Sequence, residues 1–132
     1  MSEKPILEKE IYEQPLAIRR MLEVESENVL QIANLVRNRC RYGFIAARGS
    51  SDNAARYAQY LFGAHNRLPV ALATPSLFTL YQSPPRLEGA LVIAISQSGQ
   101  SPDIVEVVEE GRRQGCPTIA ITNDPASPLA SS

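Results

Sequence analysis

Tryptophan is absent from this 132-residue chain, histidine occurs once and cysteine twice. Cys40 and Cys116 have neither the spacing of metal ligands nor the density of a disulfide scaffold, and His65 completes no metal set with them. The cysteines therefore read as structural thiols, and His65 as a structural or solvent-exposed residue near the end of a helix. Charge excess is missing as well: 13 basic residues face 14 acidic ones, so nothing in the totals draws the chain to a polyanion and no nucleic-acid partner is expected. No stretch approaches the roughly twenty apolar residues that span a bilayer, and Met1 to Lys9 lacks the apolar core of a signal peptide. These absences predict a cytoplasmic protein without a membrane partner.

Three nucleotide and hydrolase signatures are missing too. There is no GxGxxG, no GxxxxGK with its phosphate-binding lysine, and no GxSxG nucleophile elbow. A dinucleotide, ATP or Ser-His-Asp site is therefore disfavoured, and neither a cofactor nor a metal is expected.

What remains is a folding composition. Hydrophobic residues make up 44% and charged residues 20%, and a chain of this length buries roughly two-thirds of its unfolded surface in one core. Half of the acids lie before Asn28. In that segment Pro15 predicts an irregular arm up to Gln14 and a short helix from Pro15 to about Glu23. Ser26 is placed to cap a following helix, in which Val29, Ile32, Ala33 and Val36 recur at helical spacing and predict a buried face. This amino-terminal arm with its helices is assigned to residues 1–40.

From Tyr42 the texture changes. Tyr42–Ala47, Pro69–Ala73, Ala90–Ile95 and Thr118–Ile121 are short apolar runs that do not alternate cleanly, the signature of strands covered on both faces. Helical patterns separate two of the pairs, at about Ser51–Phe62 and Pro102–Gln114, so residues 41–132 predict a layered parallel α/β sheet. Ala54, Ala58, Leu61 and Phe62 are the expected inner face of the first helix; Ile104, Val107, Val108 and Gly111 form that of the second. Ser76–Tyr81 is open between a helix and an irregular crossover, and no fifth strand follows Ile121. A truncation before that strand is the favoured reading, with an unusual sheet edge as the alternative.

Ligands of open parallel sheets bind beyond the carboxyl ends of the strands, which directs attention to the loops after Ala47 and Ile95. Arg48-Gly49-Ser50-Ser51-Asp52 offers a glycine, two hydroxyls and the free amides of a helix start, a combination that suits phosphate. The same serines and Asp52 are also good capping residues, and Arg48 could instead pair with Asp52 or face solvent. Ser96-Gln97-Ser98-Gly99-Gln100-Ser101 carries the stronger signal. Ser101 alone would cap the helix opened by Pro102; the additional hydroxyls and amides suit several ligand oxygens bound at once, as in a sugar phosphate.

At these loops the sequence resembles the sugar isomerase (SIS) domain family, in the branch holding glucosamine-6-phosphate synthase and related amino-sugar-phosphate deaminases and isomerases. The resemblance rests on Lys9–Pro15, Ile45–Ser51, Ile95–Asp103, Ile121–Asn123 and Ser127–Leu129. It implies a three-layer flavodoxin-like sheet and a phosphate site formed by Ser51, Ser96, Gln97, Ser98 and Ser101, supported by Arg48, Gly49, Ser50, Gly99 and Gln100. It further implies a homodimer, with Lys9–Pro15 as an arm packed around the sugar-phosphate domains. Arg48, Gln100 and Ser101 depart from the family pattern, which often has cysteine or glycine before the first glycine and Glu-Thr after the second. Those departures favour the deaminase-like or uncharacterised branch over the synthase.

The family's catalytic glutamate, lysine and histidine would lie in a second domain or a neighbouring subunit, so no catalytic residue is expected within this chain. Two function classes follow: part of an aldose-ketose isomerase or deaminase acting on a hexosamine 6-phosphate, or a non-catalytic sugar-phosphate-sensing module of a regulatory protein. A purely structural domain is the third.

Overall fold

The computed structural model describes residues 5–132, so the part of the amino-terminal arm and of the signal-peptide reading that falls on Met1–Lys4 lies outside the described residues. Two compact units are present, residues 1–37 and 38–132.

In the first unit, α1 spans Ile6–Val36 as one 31-residue helix with Pro15 inside it. This corrects the expected arm, break and second helix. A proline inside a helix forfeits one backbone hydrogen bond and costs about 3 kcal/mol, yet Leu, Glu, Arg, Ile and Ala dominate both flanks and carry the helix through. Ser26 continues the helix because neither glycine nor proline beside it forces a stop. The expected buried face is corrected also: of Val29, Ile32, Ala33 and Val36, the first and third are exposed and the other two only partly covered, and α1 has no buried residue.

The second unit is an open sheet of four parallel strands in the order β2-β1-β3-β4. The strands are β1 (Tyr42–Ala47), β2 (Val70–Leu72), β3 (Ala90–Ile95) and β4 (Thr118–Ile121). Helices α2 (Ser51–Leu61), α3 (Ser76–Thr79), α4 (Pro102–Arg113) and α5 (Pro128–Ser131) connect or follow them. The β2-β1-β3-β4 order is that of a flavodoxin-like sheet. Each strand coincides with an apolar run, and the ambiguous Ser76–Tyr81 stretch resolves into a single helical turn.

The central strands are buried on both faces, which is why their sequences do not alternate. On one face Phe44, Ala46, Val92 and Ala94 pack with Phe78, Ile104, Val107, Val108 and Leu129. The alternate residues Ile45 and Ile93 point the other way. Gly111 lets α4 approach the sheet: a Cβ there would stand 2.9 Å from Val92 Cγ2. The predicted stripe of α4 is buried as expected.

On α2 the face is rotated by one residue from expectation. Ala55 is the buried residue, whereas Ala54 and Leu61 are exposed. Alanine marks a helix face weakly because it suits either side, and Gln59 turns inward to donate to the Val70 carbonyl at 2.9 Å. Past Leu61 the chain widens into a π turn, Phe62–Asn66, in which His65 is exposed. At the far edge of the sheet, Ile121 of β4 is half exposed.

Candidate functional site

Ala47 and Ile95 end neighbouring parallel strands and are register partners. The loops that follow must therefore leave the sheet side by side. Between them lies a cavity of about 220 Å³, walled on one side by Arg48, Gly49, Ser50 and Ser51 and on the other by Ser96, Gln97, Ser98 and Ser101, with Ile95 and Ile104 also lining it. Of the residues singled out in the sequence, Gly99 and Gln100 do not line the space; they shape the loop behind it.

The β3–α4 loop is held by its own hydroxyls. Gly99 N donates to Ser96 Oγ at 3.1 Å and Gln100 N to Ser98 Oγ at 3.3 Å. In both bonds the serine accepts, so each hydroxyl proton remains to be donated to a ligand oxygen. Gly99 adopts φ +64°, a left-handed conformation that favours glycine.

Ser50 and Ser101 occupy the N-cap positions of α2 and α4, yet neither side chain makes a cap hydrogen bond. This corrects the capping alternative for these two residues. In α4 it is Asp103 Oδ1 that accepts from the Ile104 amide, at 3.1 Å.

The ion pairs also differ from expectation. Asp52 binds Arg56 on its own helix at 2.8 Å, while Arg48 reaches across to Asp103. Helical spacing favours the first pair; the adjacency of β1 and β3 makes the second possible. Sequence inspection gave Asp103 no role, because its partner lies 55 residues away.

A third segment supports the loop from behind. Ile121 O accepts from Ser96 N, Asn123 N and Thr122 Oγ1 donate to Gln97 O, and Leu129 N donates to Gly99 O. Ser127, wholly buried, caps α5 by accepting from Ala130 N. A Ser-Pro pair opening a short helix was the available sequence signal for that cap, but not for its contact with Gly99.

The cysteines are far less suited to chemistry. Both are unpaired, burial raises both thiol pKa values above their ordinary range, and Cys116 Sγ donates to Leu87 O at 3.0 Å. No group of three or more His, Cys, Asp or Glu side chains among the described residues could hold a metal. No described helix is long and apolar enough to cross a membrane.

An open parallel sheet with its polar loops gathered beyond the strand ends places the chain among α/β domains that take ligands at that end. More narrowly, the SIS domain family model matches residues 38–132, and the chain belongs to that family. It is 35% identical over 122 residues to the glutamine–fructose-6-phosphate aminotransferase [isomerizing] of Caldanaerobacter subterraneus, covering 87% of this chain and 20% of that protein. The chain thus spans about a fifth of the length of the curated relatives it matches.

Among solved structures, a Silicibacter pomeroyi protein described as a phosphosugar isomerase superposes with a TM-score of 0.88 at 41% identity, covering 93% of this chain and 38% of that one. The C-terminal domain of glucosamine-fructose-6-phosphate aminotransferase from Francisella tularensis gives 0.80 at 25% identity, covering 99% and 38%.

Proposed function

We propose that residues 41–132 form a sugar-phosphate-binding domain in which Ser51, Ser96, Gln97, Ser98 and Ser101 hold the phosphate, with residues 1–40 as its amino-terminal arm. The carrying observation is the convergence of two serine-rich loops on one cavity whose Ser101 hydroxyl is not engaged in a helix cap. Arg48, Gly49, Ser50, Gly99 and Gln100 support the grip by charge or by loop shape.

The chain is then part of an amino-sugar-phosphate deaminase or aldose-ketose isomerase acting on a hexosamine 6-phosphate, working in the cytoplasm as a homodimer without a cofactor. The family membership and the names of the relatives support this reading. The alternative is a sensor that binds without turnover; among the described residues no carboxylate, imidazole or lysine lines the cavity, as both readings expect, since the enzyme's base for moving a proton between C1 and C2 would come from a second domain or a neighbouring subunit.

The test is titration with glucosamine 6-phosphate. Ser98→Ala removes one hydrogen bond to a charged group and is expected to weaken binding about ten- to a hundred-fold. Denaturant melts verify that the variant is folded. Unchanged affinity in folded Ser98→Ala removes Ser98 from the site, and no binding by the wild type refutes the proposal.

A further inference from the structure

Among the described residues Arg48 is the single charged side chain that lines the cavity. Asp103, its partner, stands behind it and does not reach the cavity wall. One carboxylate oxygen of Asp103 accepts from the Ile104 amide and the other from Arg48 Nη1. A carboxylate held at both oxygens has little freedom, so it fixes the guanidinium at the end of a side chain that is 67% exposed. A guanidinium carries five N–H donors in a rigid fork, and Asp103 engages it through Nη1 alone.

The neighbouring charges are already matched or turned aside. Asp52, at the start of α2, is paired with Arg56, and Asp124, after β4, accepts from the Ala126 amide. The uncharged serine and glutamine donors around the cavity can bind a phosphate in either ionisation state and gain only an ion–dipole increment when its second proton leaves. Arg48 gains more, since the attraction between two full charges grows with the charge of the partner and extends over a longer range.

We infer that Arg48, positioned by Asp103, is the charge-selecting residue of this cavity and makes it prefer a doubly ionised phosphate ester to a singly ionised one. This inference rests on the reading of the cavity as a sugar-phosphate site. It assigns the two residues distinct parts: Arg48 touches the ligand, and Asp103 acts only through Arg48.

Fructose 6-phosphate is the suitable probe, because it has no amine to titrate and its second phosphate ionisation falls at about pH 6. Its affinity is measured at pH 5 and pH 8 for the wild type, Arg48→Gln, Arg48→Lys, Asp103→Ala, Arg48→Gln/Asp103→Ala and Ser98→Ala, with a melt for each. Wild-type binding is expected to tighten about tenfold or more from pH 5 to pH 8. Arg48→Gln should lose roughly tenfold at pH 8 and little at pH 5, flattening the profile, whereas Arg48→Lys keeps the slope at lower affinity.

Asp103→Ala should cost several-fold more at pH 8 when Arg48 is present than in the Arg48→Gln background. An unchanged slope in Arg48→Gln, with Ser98→Ala still weakened, overturns the charge selection and leaves the site intact. Additive effects of the two substitutions overturn the role of Asp103. Absence of wild-type binding, or unimpaired binding by Ser98→Ala, instead counts against the underlying site.

Discussion

Gly99 and Ser127 are packed so closely that a Cβ on the glycine would stand 2.2 Å from the serine Oγ and 2.5 Å from its Cβ. Neither can yield easily, because Ser127 has no exposed surface and Leu129, two residues on, is 1% exposed and donates its amide to Gly99 O. The proposed phosphate loop is thereby seated on the segment that follows β4.

Gly99→Ala combines this clash with φ +64°, a conformation costing an L-residue roughly 1–2 kcal/mol. A loss of about 2 kcal/mol or more in urea melts is expected. Ser127→Gly in the same chain removes both clashing atoms and should restore part of the loss. An unaltered midpoint in Gly99→Ala would contradict the contact.

Ser101→Ala is expected to change stability by less than about 0.5 kcal/mol, since the hydroxyl makes no cap bond, whereas a working cap contributes about 1 kcal/mol. Affinity for glucosamine 6-phosphate should fall all the same. A drop in stability without a change in affinity would assign Ser101 to the helix instead of the ligand.

Gln114 joins three partners: its Oε1 accepts from Leu87 N at 2.7 Å, and its Nε2 donates to Pro85 O at 3.0 Å and to Glu110 Oε1 at 2.7 Å. It thus ties the approach to β3 to the end of α4. Gln114→Ala strands the amide of the buried Leu87 and should cost about 1–3 kcal/mol. Glu110 adds a pH signature: the bond from Gln114, followed by the help of Arg113, holds its carboxyl below the usual carboxylate range. A lowered folded-state value stabilises above the unfolded pKa and ceases to do so as pH falls through the folded one. The deficit of Gln114→Ala should accordingly shrink in acid; a pH-independent deficit would separate Gln114 from Glu110.

The two cysteines should react slowly with iodoacetamide at pH 8 in the native chain and faster in urea, because burial pushes both thiols up and lowers the thiolate fraction. Such a raised value stabilises the fold below the unfolded thiol's pKa, and that contribution is lost as pH climbs through the folded one. Equal native and unfolded labelling rates would refute the assignment of both as inert packing thiols.

Much of this architecture was legible in the chain itself. Apolar runs without alternation marked all four strands; in the central β1 and β3 burial on both faces leaves no polar side to encode, whereas the edge strands β2 and β4 are part-exposed and only their apolar composition marked them. The stripe Ile104, Val107, Val108 and Gly111 marked α4, and the hydroxyl-rich stretches after Ala47 and Ile95 marked the loops that border the cavity. These are local patterns, written within one turn or one pleat.

Elsewhere local signals competed. Pro15 was a real obstacle to helix, but the propensity summed over 31 residues outweighs it, so α1 runs through. The partners of Arg48, Gln59 and Ser127 could not be read at all. Each depends on which strands are neighbours and on how a loop end meets a distant helix or segment: β1 beside β3 brings Arg48 to Asp103, and β4 beside β3 brings Ser127 under Gly99. Chain order specifies what each residue can donate or accept, whereas strand adjacency decides which other residue is within reach.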